Sequence, residues 1–184
     1  MLLIPWLLTR IRIFVLLNVN KLEYNCNIME LSATDIKILA MLQQDASLTA
    51  AEIAEQVNLS ASPCWRRISR LEKAGVIEKK VALLNAEKLG MGLVIFSRIS
   101  LSKNDETSLH KFEERVRQFP EVVECYTVTG SADYFLKIIT RDIKHYDRFL
   151  RRKLVQVPMV RDVNSNVAVT QIKYTTELPL ETQL

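Results

Sequence analysis

The residues whose types and spacing most plainly suggest chemistry lie in one stretch, SASPCWRRISRLEKAGVIEKK, residues 60–80. It holds six basic side chains (Arg66, Arg67, Arg70, Lys73, Lys79 and Lys80) against two acidic ones (Glu72 and Glu78), a net +4 equal to that of the whole chain. Cys64, Ile68 and Leu71 recur at i, i+4 and i+7, the spacing of one helix face, and so point to a core. The opposite side then offers Ser62, Arg66, Ser69, Arg70 and Lys73. Arginines placed there reach phosphates, or take guanine O6 and N7 in a bidentate grip. Small serines near the helix start allow close approach to a groove. Arg67 and Lys73 fit phosphates better than bases, and Trp65, at the border, packs either on a sugar or over the joint between helices. An isolated basic helix is more often a solvated surface helix with i, i+4 charge pairs, so its neighbours decide the matter.

A second stretch, TVTGSADYF, sets Gly130 and small residues before Asp133. Two readings are open. It is a plain hairpin turn, with Gly130 supplying positive φ and Asp133 capping it. Or it is a clamp for a small ligand, with turn amides taking a carboxylate and Asp133 an ammonium, which together recognise an amino acid.

The elements that position these residues are legible upstream and downstream. LSATDIKILAMLQQDA predicts a helix capped by Ser32 or Thr34, with Ile36, Leu39 and Leu42 on one stripe. SLTAAEIAEQVNLS predicts another, capped by Thr49 with Glu52 three residues on, a capping box, and with Ile53, Ala54 and Val57 inward. Asn58 tolerates a left-handed turn. The basic helix follows after residues 58–61, capped by Ser60 or Ser62, with Pro63 in its permissive first turn and Gly75 as its stop. Two helices joined by so short a turn, with a third before them, form a helix–turn–helix. VIEKKVALLN reads as a short two-stranded wing. This context assigns the basic helix to double-stranded DNA, with Ser60, Ser62, Pro63, Trp65, Arg66, Arg67, Ser69, Arg70, Lys73, Lys79 and Lys80 as the candidate contacts.

The second half changes period. GLVIFSRISLS is a strand; NDETSLHKFEERVRQFP is a capped helix with Leu109, Phe112, Val116 and Phe119 inward. VVECYTVTGSADYFLKIIT gives strands over 122–128 and 134–140, DIKHYDRFLRRKLVQVP a helix with Ile143, Tyr146, Phe149, Leu150 and Leu154 inward, and VRDVNSNVAVTQIKYTT a closing strand. QFPEVVE and QVPMVRD, 38 residues apart, mark two similar βαβ halves. The order β-α-β-β-α-β predicts a ferredoxin-like sandwich with both helices on one sheet face, so the fold class is α+β. The bare face then calls for a second copy of the chain.

The 184 residues suffice for two small domains, and 48% hydrophobic with 25% charged residues is an ordinary globular balance. Cys26, Cys64 and Cys125 form no CxxC pair, and their odd number suits a reducing cytoplasm better than a disulfide scaffold. His110 and His145 lack neighbouring ligands, so neither a metal nor a cofactor is expected. Residues 1–28 read as a signal segment, a membrane span, or an addition upstream of Met29. Arg10 and Arg12 break the apolar run, which favours the addition.

From Leu31 to about Pro179 the chain resembles the Lrp/AsnC (feast/famine, leucine-responsive) family of transcriptional regulators. The likeness rests on LSATDIKILAMLQQDA, SASPCWRRISRLEKAGVI, VALLNAEKLGMGL, FPEVVECYTVTGSADYFLKI and QIKYTTELPL. SPCWRR and QIKYTTELP are similar to a branch linked to cysteine or other sulfur metabolism. The resemblance implies an N-terminal winged helix–turn–helix over 29–91 (helix–turn–helix about 50–74), a βαββαβ ligand-sensing and oligomerisation domain over 92–178, and a tail over 179–184. It implies dimers that assemble further, often into octamers, and an amino-acid effector bound between dimers near Tyr126, Thr129, Gly130, Ser131 and Asp133. Asp133 matches the family's effector-responsive aspartate, and residues 1–28 have no counterpart. Two rival classes stand beside this reading. One is an amino-acid-binding assembly protein or small enzyme on the second half, for which no catalytic pairing stands out and Cys125 has no base near it in sequence. The other is a membrane-tethered regulator.

Overall fold

In the computed structural model, residues 29–103 and 105–180 are described; the readings placed on 1–28 and 181–184 lie outside them. Helix α1 (Ala33–Gln44) starts at Ser32, whose hydroxyl accepts the Asp35 amide while the Asp35 carboxylate takes the Ser32 amide, a complete capping box. Helix α2 (Ala50–Gln56) repeats the device with Thr49 and Glu52. Asn58 then takes φ 55°, the left-handed turn its side chain tolerates. Helix α3 (Ala61–Lys73) follows. Its N-cap is Ser60, which makes no side-chain capping bond. The cause is local: the N3 residue is Pro63, and proline has no amide to offer. Gly75 ends the helix at φ 72°; its amide reaches the Glu72 carbonyl at 3.0 Å and the Val76 amide reaches the Leu71 carbonyl at 3.0 Å.

These helices share a core of Ile38, Leu39, Leu42, Ile53, Ala54, Cys64, Ile68 and Leu71, with Leu180 packed against it. Ile38 is fully buried although it lies off the stripe of Ile36, Leu39 and Leu42. Residues 29–80 with 177–180 make up this unit, and the Gln43 side chain pins its last segment by donating to the Leu178 carbonyl and accepting its amide, each at 3.0 Å. The segment 76–85, read as a two-stranded wing, forms no strand. A tight hairpin needs a residue that accepts positive φ at its centre, and VIEKKVALLN has Asn85 only at its end.

Residues 81–176 form the second unit. Strands β1 (Leu93–Leu101), β2 (Val122–Thr127), β3 (Tyr134–Thr140) and β4 (Val160–Val167) form one antiparallel sheet in the order β2-β3-β1-β4. Between them run α4 (Glu106–Arg117) and α5 (Ile143–Phe149), the latter prolonged by a π-helical turn, Leu150–Leu154. This is the βαββαβ order read from the sequence. Alternation places Ile95, Ile99, Tyr134, Leu136 and Ile138 on the helix side, where Phe112, Val116, Tyr146, Phe149 and Leu154 close the core. Ile143 does not join them; it is 57% exposed. As the first residue of α5, its Cβ leans back past the helix end rather than down onto the sheet. The closing strand is also shorter than expected, ending at Val167. The other sheet face carries Phe96 stacked on Phe135 at 5.7 Å, together with Lys137 paired to Glu124 at 2.7 Å.

Candidate functional site

Burial of Cys64, Ile68 and Leu71 fixes how α3 is turned. At 100° per residue, Ser62, Arg66, Ser69 and Lys73 fall opposite that buried seam, and Arg67 and Arg70 fall on one flank. Arg66, Lys73 and Ser62 are exposed, Trp65 is 61% exposed, and Ser69 and Pro63 are half-buried. Among the described residues no carboxylate pairs with Arg66 or Lys73. The flank is different. Arg67 donates Nη1 to Asp35 Oδ1 at 3.0 Å, and Arg70 donates Nη2 to Asp35 Oδ2 at 2.7 Å. Asp35 itself is 1% exposed. Burial alone raises its carboxyl, but the Ser32 hydroxyl and amide, Arg67 and Arg70 together bring it below the ordinary value. Sequence reasoning missed Asp35, although a capping-box acid opposite a basic helix was the available signal.

A shallow recess of about 310 Å³ lies against Pro63, Arg66, Arg67 and Arg70. Of its three guanidiniums only that of Arg66 is not engaged by Asp35. Ser60, with its hydroxyl released from capping, is exposed at the start of the same helix. Lys80 pairs with Glu72 at 3.2 Å, both half-exposed, and Lys79 is exposed.

At the turn between β2 and β3, Gly130 takes φ 120°, a conformation other residues adopt only with strain. Thr129 and Ser131 flank it and are exposed. Asp133 folds back: its Oδ2 accepts the Leu101 amide at 2.7 Å, its own amide donates to the Ile99 carbonyl at 2.9 Å, and its carbonyl accepts the Val128 amide at 3.0 Å. It therefore ties the turn to β1 beside the bulge at Ser100 and Leu101. Thr129, Gly130, Ser131 and Asp133 are gathered in this turn. Tyr126 lies on the strand before it, its hydroxyl donating to Glu124 Oε2 at 3.1 Å.

A separate cavity of about 290 Å³ opens between α4 and β2. Glu113, Arg117, Val122, Cys125, Thr127 and Tyr134 are among its walls, and none of the turn residues is. The Tyr134 hydroxyl donates to Glu113 at 3.0 Å. Burial, and then the Glu113 charge, push the Cys125 thiol up despite Arg117, so it is no activated nucleophile. A carboxylate and a guanidinium one helical turn apart on the same wall offer opposite charges to a zwitterion. Sequence spacing gave no hint of it, because its walls come from a helix and two strands.

Comparison with known proteins places both units. The Lrp/AsnC ligand binding domain matches residues 94–178, and a winged helix-turn-helix DNA-binding domain matches residues 31–78. The DNA-binding transcriptional activator DecR of Escherichia coli K12 is 42% identical over 151 residues, 82% of this chain and 99% of that protein. The glutamate uptake regulatory protein of Zymomonas mobilis is 42% identical over 153 residues, 83% of this chain and 93% of that protein. A solved transcriptional regulator from Neisseria meningitidis, in complex with L-Met, superposes with TM-score 0.81 at 39% identity, covering 84% of this chain and all of that one (100%). An AsnC family regulator from Agrobacterium tumefaciens gives TM-score 0.80 at 44% identity, with coverages of 84% and 100%. Among the described residues no helix is long and apolar enough to cross a membrane.

Proposed function

The chain belongs to the Lrp/AsnC family of DNA-binding transcriptional regulators, and from that premise we propose that α3 is its recognition helix and that an amino acid governs its assembly on DNA. The observation that carries the first part is the free outer face of α3, where Ser62, Arg66, Ser69 and Lys73 stand opposite a fully buried seam. Arg66 reads a base edge or a phosphate in the major groove, and Lys73 a phosphate. Ser60, Trp65, Lys79 and Lys80 border the same contact. The domain boundaries proposed are 29–91 and 92–178. In vitro selection from random duplexes, followed by gel-shift titration of Arg66→Ala, tests the assignment. Undiminished affinity in the folded variant would remove α3 from the interface.

The proposed effector is an amino acid held by the turn amides around Gly130, with Asp133 toward the ammonium and Thr129, Ser131 and Tyr126 alongside. Relatives support the ligand class: one solved regulator carries L-Met, and another relative is named for glutamate uptake. A second location is favoured by one specific observation, the opposite charges of Glu113 and Arg117, a turn apart on α4, in the wall of the α4–β2 cavity. A thermal-shift screen of the twenty amino acids finds the effector, since a ligand at 100 times its Kd adds about 2.7 kcal/mol. Repeating it with Asp133→Asn and with Arg117→Met separates the two locations.

The chain is proposed to work as a dimer that assembles further, to octamers in the family's manner, so that two recognition helices meet half-sites about one helical turn apart. Support comes from the sheet face bearing Phe96 and Phe135, and from Val169 and Ile172, which are 95% and 89% exposed. The effector would then shift the population between assemblies rather than block the groove contact. No catalytic role is assigned, and the protein is proposed to work in the cytoplasm with its DNA.

A further inference from the structure

We propose that Asp35 is a positioning residue for DNA recognition: its buried carboxylate holds the guanidiniums of Arg67 and Arg70 on the flank of α3 and withholds them from free contact with phosphates. The inference rests on the reading of α3 as the recognition helix.

The protein supplies its own control. Glu52 occupies the same capping-box position on α2 that Asp35 occupies on α1, bonded to the Thr49 amide and hydroxyl at 2.7 Å each. That box is exposed and draws in no arginine. Capping a helix therefore needs only the local pair. Asp35 makes the local contacts too, taking the Ser32 hydroxyl at 2.6 Å and its amide at 3.1 Å. It then accepts two further donors from a helix 32 and 35 residues away. Arg67 also donates to the Ser32 hydroxyl at 3.2 Å. The cap and the recognition helix thus share one carboxylate.

The electrostatic result follows from the count of charges. One carboxylate faces two guanidiniums, so the flank presents a net single positive charge in place of two, in a fixed geometry. The Asp35 side chain is 1% exposed, whereas those of Arg67 and Arg70 are 35% and 49% exposed. The arginines can meet solvent or DNA, but the carboxylate loses both of its charged partners if they leave. Breaking both pairs forfeits two charge-assisted hydrogen bonds. Phosphates, which every sequence offers alike, must therefore compete with Asp35 for this flank, whereas Arg66 and Lys73 on the outer face meet no such rival. Non-specific affinity comes from phosphate contacts, and specificity from base contacts. Withholding two flank cations lowers the first while leaving the second.

The test uses the full chain and its Asp35→Asn variant, titrated against a duplex selected by the wild type and against a scrambled one, between about 50 and 200 mM salt. Asn keeps the size and can still accept the Ser32 donors, but it removes the charge and the second oxygen that hold the two arginines. The expected result is tighter binding to the scrambled duplex, with a salt slope steeper by about 1 to 2 for each docked helix, at about 0.9 per added phosphate. The selected duplex should gain in the same measure, because both duplexes offer the same phosphates. An unchanged slope on both, with only a lower melting temperature, would reduce Asp35 to a helix cap and overturn the proposal. Should Asp35→Asn not fold, Arg66→Met and Arg70→Met are compared in the otherwise native chain. Arg66→Met should lower the salt slope by about 0.9, and Arg70→Met by less than half as much. Equal losses overturn the brace alone. No loss from either Arg66→Met or Lys73→Met overturns the recognition-helix reading and the brace with it.

Discussion

A guanidinium on a helix is available to DNA only where nothing inside the protein claims it first. Arg66, Arg67 and Arg70 lie within five consecutive residues, yet Asp35 claims the last two. Arg66→Ala is accordingly expected to cost about 1–3 kcal/mol of affinity for a selected duplex, measured by gel shift at fixed salt, and Arg70→Ala less. Asp35 also carries a pH signature. Its carboxyl lies below its ordinary value of 3.8, so the folded state favours the ionised form. The stability this brings is fully present above that ordinary value and disappears as pH falls through the lower folded one. Thermal unfolding should show a constant gap between wild type and Asp35→Asn above the ordinary value of 3.8, narrowing as pH falls below it; a gap that stays constant below it would contradict the ion pairs. At Asp133, Asn still accepts the Leu101 amide, so the fold should stand. Loss of the charge should weaken an amino-acid effector about tenfold or more, from the roughly 1.5–3 kcal/mol of a charge-assisted bond, read by calorimetry. Unaltered effector affinity would leave Asp133 as the tie between turn and β1 alone.

At the scale of elements, the helix boundaries follow chemistry that is local and strong. Thr49 and Glu52 satisfy each other's end of α2, and Thr49→Ala should cost about 1 kcal/mol in chemical denaturation. An unchanged midpoint would mean that α2 is held by its core contacts alone. Gly75 shows the same logic at the end of α3. Open space surrounds the position of an added Cβ, so the penalty of Gly75→Ala comes from φ 72° alone; about 1 kcal/mol is expected. Ser60 departs from the pattern because Pro63 withdraws the amide it would have capped. The price of that choice is a weaker cap, and its benefit is a hydroxyl left exposed at the head of the proposed DNA face. The unpaired segment 76–85 and the outward Ile143 depart from pattern reading for the same reason: alternation and periodicity describe where a side chain points only once an element exists and has begun.

The whole molecule brings two units, each with a closed core of its own, to a single regulatory task. On the second unit, both helices share one sheet face; the opposite face bears Phe96 and Phe135, with Tyr174 of the same unit against its Lys137 at 5.9 Å, and is the face proposed to meet a second copy. Phe135→Lys is expected to leave the helix-side core intact, since Leu136 and Tyr134 face away from it, while shifting the protein toward monomer. Sedimentation velocity together with circular dichroism decides it: a folded variant with native assembly would dismiss this face as the interface. A chain begun at Met29 provides the other whole-molecule test. The family match begins at residue 31, and such a chain should bind DNA as the longer one does; lost binding would give residues 1–28 a function.

The amino-acid sequence by itself determined the two-unit plan, the capping boxes, the position of α3 and the βαββαβ order. Each of these rests on contacts within about a turn of helix or on a repeating apolar period, which a linear chain displays directly. Asn58, Thr49 and Gly75 were readable because backbone conformation is a property of the residue itself. Only the tertiary structure decided which arginines are free, what Asp133 holds, and where a cavity forms. Asp35 meets Arg70 across 35 residues, Asp133 meets Leu101 across 32, and Glu113, Arg117 and Cys125 converge from a helix and an edge strand. Such pairings depend on the exact packing of elements, and charge is blind to sequence distance: a carboxylate takes the cation that the fold brings to it.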